Sequence, residues 1–233
     1  MLGLGFKRPR GTPTLTADLQ VLEYSLFCPG LFTNYMTYPY RSSKHINLFE
    51  IPFNFNQRRA LICEGGEDDV ITLTSAQDTA KVVALAVEYQ GEWPIFGGIR
   101  GARVSMGQLF AIGERVRGKL SLLLVVGTWL LTVGHEGSPF AVERLNKADL
   151  QAGVVKASWR LPSMHPSIPP EQVAAFADAI VAGFLLGISA GNLDISDEWN
   201  RLLPDYAFTQ PEEFLSQAWA AIDAGAKSVH TED

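Results

Sequence analysis

Tyr40-Arg-Ser-Ser-Lys44 places a phenol and an ammonium four positions apart. On a helix the two would share a face, and the ammonium would lower the phenol's pKa, making it a usable proton donor or acceptor. Pro39 stands immediately before the tyrosine in a Tyr/Pro-rich stretch that need not be helical, so the spacing is read as coincidental. Gly187-Ile-Ser189-Ala-Gly191 matches G-x-S-x-G, a pattern that exposes a serine nucleophile only on a strand-to-helix turn. Here the serine ends a long helical pattern, and the glycines are expected to permit close packing and then stop the helix. Gly97-Gly98-Ile-Arg-Gly101 could cradle an anion with backbone N–H groups, but no helix starts directly after it, so a tight turn is expected. Gly3-Leu-Gly5 is half of a G-x-G-x-x-G with no strand before it. His45, His135, His165 and His230 show no ligand spacing, and His165 in MHPSIPP is expected to pack or cap. No metal is implied. Cys28 and Cys63 lack C-x-x-C spacing and read as reduced, half-buried thiols of a reducing compartment, with a cytoplasmic location.

The elements that would position these groups follow from pattern and punctuation. Residues 7–13, KRPRGTP, read as a flexible start. Leu22–Cys28 is a short apolar run closed by Pro29-Gly30, expected to be a buried strand. Arg59–Cys63 and Val70–Leu73 read as strands, with GGEDD between them as a hairpin turn. Ser75-Ala-Gln-Asp78 has capping-box spacing and opens a helix to about Tyr89, with Ala80, Val83, Ala84 and Val87 as its apolar face. Ser105-Met-Gly-Gln108 opens another, with Leu109, Ile112 and Val116 inward and a stop at Gly118. Phe140–Leu145 alternates as a strand does. The longest helix is expected from Pro169 to about Ala190 with a stripe of Val173, Phe176, Ile180, Phe184 and Ile188. Its apolar second half, residues 179–191, is shorter than the roughly 20 residues a bilayer span needs. A last helix after Thr209, with Glu212 at the capping-box position, carries Phe214, Leu215, Ala218, Trp219 and Ile222. The tail from Gly225 is expected to fray. Strands alternating with helices, then helices alone, give an α/β or α+β class.

At 233 residues with 47% hydrophobic and 19% charged content, the chain has enough apolar material for a real core. A net charge of −6 without a basic stripe argues against nucleic acid as a direct partner.

Taken in order, LEYSLFCPGLFTNY, ITLTSAQDTAKVVALAVEYQGEWPIFGGIRG, HPSIPPEQ and ISDEWNRLLPDYAFTQPEEFL resemble the C-terminal part of fungal NmrA-like proteins, close to the isoflavone-reductase-like proteins. These are atypical relatives of the short-chain dehydrogenases. The resemblance covers roughly residues 20–220. It implies an α/β fold: the late sheet strands of an incomplete Rossmann-type NAD(P)-binding fold plus a mostly helical substrate domain. It implies NADP or NAD as cofactor and a small-molecule substrate. Pro29, Gly30, Leu31 and Phe32 would form the loop beside the nicotinamide, and Tyr35 would face the substrate cleft. The family's first strand, glycine loop, acidic ribose-binding residue and catalytic lysine region have no counterpart. Residues 1–233 therefore read as one domain, the C-terminal portion of an NmrA-like domain lacking its glycine-rich half. The ancestral function is an NAD(P)-dependent reductase, with a non-catalytic dinucleotide-sensing regulator as the alternative. For this chain, truncation with weak or no activity and weak NAD(P) binding alone is expected. An unpaired sheet edge would promote self-association.

Residues 120–138 interrupt that resemblance. Joining Lys119 to Pro139 gives GERVRGKPFAVERL, a helix end, a turn and a strand. The uncharged run Leu120–Gly134 would reach only about 22 Å as a helix, against a bilayer core of about 30 Å. We read it as an insertion, a retained intron translated in frame or a gene-model error, that would form an apolar surface excursion. Peptides from 120–138 in a digest of the native protein would overturn the intron reading, whose expected result is their absence.

Overall fold

Residues 24–117, 120–126, 129–135, 140–162 and 170–229 are described by the computed structural model. The readings placed on Gly3-Leu-Gly5, residues 7–13, His165, Pro169 and His230 lie outside them. Ten strands are present among the described residues: β1 (Leu26–Cys28), β2 (Leu31–Phe32), β3 (Phe53–Asn54), β4 (Arg59–Cys63), β5 (Val70–Thr74), β6 (Phe96–Gly98), β7 (Ala102–Ser105), β8 (Leu120–Val126), β9 (Trp129–His135) and β10 (Ala141–Leu145). The α-helices are α1 (Ala76–Glu88), α2 (Met106–Arg117), α3 (Lys147–Gln151), α4 (Val173–Ser189), α5 (Glu198–Leu202) and α6 (Pro211–Asp223).

The architecture is α/β with mixed parallel and antiparallel pairing and flanking helices. β1 pairs parallel with β6. β5 is flanked by β2, parallel, and β7, antiparallel. β4 is flanked by β10, parallel, and β3, antiparallel. β8 and β9 form an antiparallel hairpin in register from Leu120↔His135 to Val126↔Trp129, and among the described residues they pair with no other strand. The segment expected to be an insertion is thus two strands. Its alternation-free apolar run could not be typed by periodicity, and backbone pairing types it.

Most expected elements lie where the pattern put them, but their partners and faces differ. β4 and β5 are not a hairpin: each pairs with other strands, and a 3₁₀ turn at Gly66–Asp68 carries the chain between them. β1 is shorter than expected, and Leu26 is 49% exposed rather than buried. The buried face of α1 is Asp78, Val82 and Ala86, while Val87 is 70% exposed. The reason is at the helix start. The Asp78 carboxylate is drawn inward by donors from Ser75, Tyr206 and Thr209, and the positions four and eight residues on follow it. On α4 the buried stripe is Ala177, Val181, Leu185 and Ile188, with Phe176 exposed. A helix apolar nearly all round has little moment to fix its rotation, so packing chose a neighbouring stripe. α2 buries Leu109 and Ile112 and α6 buries Leu215, Ala218, Trp219 and Ile222 as expected, while Val116 and Phe214 are half-buried against the same core. The tail is held as far as Val229, whose N–H donates to the Arg41 carbonyl.

Two apolar clusters result. The larger joins strands β2–β5 and β10 to α2, α4 and α6, so the helices of the second half share one core with the strands. The smaller is aromatic: Trp199, fully buried, stacks on Phe27 at 5.2 Å and meets Trp93 and Tyr89 edge-on. Gly97 makes that packing possible, since a Cβ there would lie 2.0 Å from Trp199 Nε1. The glycine pair expected as a turn is strand. Gly97→Ala is expected to lower unfolding free energy by about 3 kcal/mol, read by urea denaturation, because the indole has no room to retreat.

Candidate functional site

Pro29-Gly30 leaves the C-terminal end of β1, and Gly30 has φ +71°. A side chain there would also collide with β5, its Cβ 2.4 Å from the Thr72 carbonyl oxygen. Glycine is therefore required twice at this position, for dihedral and for space. Leu31 and Phe32 then pair with Leu73 and Thr74. Leu31 is buried in the main core, while Pro29 and Phe32 are half-buried. Tyr35 lies in the following 3₁₀ turn, half-buried, with its ring 4.9 Å from that of Phe49. Burial pushes its phenol above the ordinary tyrosine value. Cys28, half-buried at the same strand end, has its thiol pushed up by burial and by the Glu198 carboxylate.

The turn after β2 is fixed by a polar network that sequence reasoning missed. Asn34 is fully buried. Its amide nitrogen donates to the Ser42 carbonyl and hydroxyl, both at 3.1 Å, and to Gln77 Oε1 at 3.2 Å. Its Oδ1 accepts from the N–H of Ala76, the first residue of α1, at 2.9 Å. Thr37 closes the turn, its hydroxyl lying 2.8 Å from both the Asn34 and the Tyr40 carbonyl oxygens with one proton to share between them.

The first turn of α1 is closed a second time by Asp78. Its N–H donates to Ser75 Oγ at 2.9 Å, and Ser75 Oγ donates to its Oδ2 at 2.8 Å. The same carboxylate accepts from Tyr206 OH at 2.7 Å and from the backbone and hydroxyl of Thr209. Thr209 therefore does not cap α6. Gln210 is the N-cap there, and Glu212 instead forms a two-pronged pair with Arg115 at 2.8 Å. Burial, then the Asp78 hydrogen bond and charge, raise Tyr206 well above the ordinary tyrosine range. One signal was present in the sequence: aspartate in the capping-box position is shorter than glutamate and leaves oxygens for other donors.

The other sequence candidates do not converge. Tyr40 leaves a turn and packs on Trp219, and Lys44 is exposed. Ser189 ends α4, where Gly191 N–H donates to the Ile188 carbonyl and Asn192 N–H to that of Gly187, with Gly191 at φ +76°. That is a Schellman stop, as the glycines implied. Lys147 donates to Ser189 Oγ at 2.9 Å. The anion near Gly97-Gly98 is the chain's own: Gly98 N–H donates to Glu198 Oε2 at 2.9 Å. Burial opposes ionisation of Glu198, but bonds from Ser196 and backbone N–H groups, with Arg201 nearby, hold its pKa below the usual value. Cys63 is fully buried rather than half-buried, its thiol against the Leu185 carbonyl. Among the described residues no group of three or more His, Cys, Asp or Glu could hold a metal ion, and no helix is long and apolar enough to cross a membrane.

A dinucleotide's pyrophosphate needs free N–H groups at a helix start. Among the described α-helices only α4, which follows a 3₁₀ turn and not a strand, opens with neither a side-chain cap nor a carboxylate in its first turn. α1, α2 and α3 are capped by Ser75, Ser105 and Asn146, and α5 and α6 open with carboxylates in their first turns.

No family model and no curated protein matches the chain. A solved nucleoside-diphosphate-sugar epimerase from Staphylococcus aureus is similar at 14% identity and a TM-score of 0.42, over 70% of this chain and 44% of that one. The chain thus spans less than half the length of that structure, and the likeness carries no argument about chemistry.

Asp78→Ala is expected to cost about 3 kcal/mol in urea unfolding, since it strands the donors of buried Ser75 and half-buried Tyr206 and Thr209. Tyr206 adds a pH dependence. Its folded pKa is raised above the ordinary 10.0, so the stability it contributes is fully present below about pH 10 and is lost as pH rises beyond it. Unfolding followed from about pH 8 to about pH 11 should show a steeper alkaline decline in the wild type than in Tyr206→Phe.

Proposed function

We propose that this chain is the later, substrate-side portion of an NAD(P)-dependent reductase fold of the NmrA-like kind. In this reading Pro29, Gly30, Leu31 and Phe32 pass beside the nicotinamide, and Tyr35 faces a small-molecule substrate. Leu31 would contribute backbone only, because its side chain belongs to the core. Residues 120–138 are an insertion between α2 and β10, consistent with β8 and β9 pairing only with each other among the described residues. A cytoplasmic location belongs to the same reading and is supported by the two free thiols.

The observation that carries the proposal is the position of Pro29–Phe32, where the Pro29-Gly30 turn runs straight into β2 and the expected loop is strand in its second half. This segment leaves the C-terminal end of a strand in parallel pairing and runs against β5, whose own C-terminal end leads into α1. Open α/β sheets bind ligands at that end of their strands. The closed start of α1, the helix that follows β5, supplies the other half of the reading: a glycine-rich half would have to provide the phosphate cradle, and no reaction step is assigned to the described residues alone.

Calorimetric titration of the chain with NADPH, and separately with NADH, is expected to show no saturable binding in the micromolar range. Micromolar binding of either would mean that the closed first turn of α1 is not the obstacle described here, and the substrate-side assignment would fall with it.

A further inference from the structure

Each sheet among the described residues ends in two strands with one side unpaired, and all the sheets but one guard those sides. β1 and β6 have three residues each, and β2 and β3 have two. Glu198 also takes the outward Gly98 N–H of β6. β7 carries Arg103, tied to Asp194 at 2.8 Å, and β10 carries Glu143 and Arg144. Short length and charge keep a strand edge from pairing with another chain. β8 and β9 have neither device. Each has seven residues, and from Leu120 to Gly134 the sequence holds no charge. Among the described residues they pair only with each other, and no other described helix or strand packs along them.

We propose that β8 is the edge through which two copies of this chain associate, antiparallel and related by a two-fold axis. A two-stranded hairpin is marginal by itself in water, and three or more strands hold together. A second hairpin supplies them. Alternate residues of β8 turn their N–H and C=O away from β9, and a neighbouring strand meets those groups in series. The composition of β8, LSLLLVV, suits that role: Ser121 is its one polar residue, and it holds neither Gly nor Pro. β9 is the poorer edge, because Gly134 weakens a strand and the polar His135 follows it. An antiparallel pair of identical strands is self-complementary under a two-fold axis, so each copy supplies the surface the other needs. In the register that overlaps β8 fully, Leu123 stands opposite Leu123 of the second copy, and Ser121 opposite Val125.

A bilayer fits the hairpin less well. Lipid would cover its apolar residues but leave the outward backbone groups of both strands unmet, which is why open sheet edges are not found in hydrocarbon. The sequence implied self-association at an edge left by absent strands. The longest unguarded edge among the described residues lies instead in the insertion. The inference concerns the chain with residues 120–138 translated. It is independent of the reductase reading, because NADPH binding and assembly are separate measurements.

The test is sedimentation velocity of the full chain over a range of concentrations, with the thermal midpoint measured beside it. A concentration-dependent equilibrium between monomer and dimer is expected. Leu123→Lys and Leu123→Glu should each weaken it about tenfold, because like charges then meet across the axis. An equimolar mixture of those two variants should restore it. Thr132→Lys, at the register partner of Leu123 on β9, should leave it unchanged. All three variants should keep the thermal midpoint within a few degrees, since the hairpin packs along no other described element. The proposal is overturned by a monomer at every concentration, by association indifferent to Leu123→Lys, or by a mixture that stays monomeric. Growth into open-ended assemblies would overturn the closed pair. Flotation with phosphatidylcholine vesicles that Leu123→Lys abolishes would also overturn it, in favour of lipid.

Discussion

The Asp78 carboxylate is the interaction on which the rest of the arrangement turns. It lies buried in the first turn of α1 and gathers donors from two distant parts of the chain: Ser75 beside it, and Tyr206 and Thr209 some 130 positions later. A buried carboxylate is tolerable only when its oxygens are satisfied. Satisfying them fixes the rotation of α1, brings Val82 and Ala86 onto Trp199 and Ile99, and pins the segment between α5 and α6. Asn34 ties the turn after β2 to the same helix start. Three chain segments therefore meet at one helix N-terminus.

That meeting has a functional consequence. A helix start following a parallel strand is where nucleotide-binding folds receive phosphate, because unpaired N–H groups and the dipole favour an anion there. In this chain the Ser75 and Asn34 side chains take those N–H groups and a carboxylate already occupies the positive end. The geometry serves cohesion at that point.

A second constraint is close approach. Gly30, Gly97 and Gly98 sit where a Cβ would fall between 2.0 and 2.4 Å from neighbouring atoms. At Gly30 the turn presses on β5, at Gly97 the Trp199 indole of α5 presses on β6, and at Gly98 the backbone of Ser196, just before α5, does so. These contacts let side chains of α5 act as the missing neighbour strand on one side of the β1–β6 sheet. The opposite outcome holds at the start of β6, where Leu26, Ile95 and Phe96 stay about half exposed. Both follow from where backbone comes near backbone.

The sequence by itself determined what is local. Ser75-x-x-Asp78 and Ser105-x-x-Gln108 marked two helix starts, Gly191 marked the end of α4, and the short run Arg59–Cys63 and the alternation over Phe140–Leu145 marked strands. The apolar face of α6 was legible because polar residues bound it on both sides. Each of these depends on atoms within a few positions of one another, which is why type and spacing sufficed. Tertiary structure alone decided which strands pair, which face of α1 and α4 is buried, and what becomes of Thr209, Glu198 and Asn200. The rotation of α1 was set against its own apolar periodicity by hydrogen bonds to a carboxylate from residues far along the chain. A nearly all-apolar α4 carried no rotational preference to read. β4 and β5, neighbours in sequence, were claimed by β10 and β7. Partner choice depends on the free energy of burying whole surfaces and satisfying every enclosed donor, and no short stretch of sequence contains that sum.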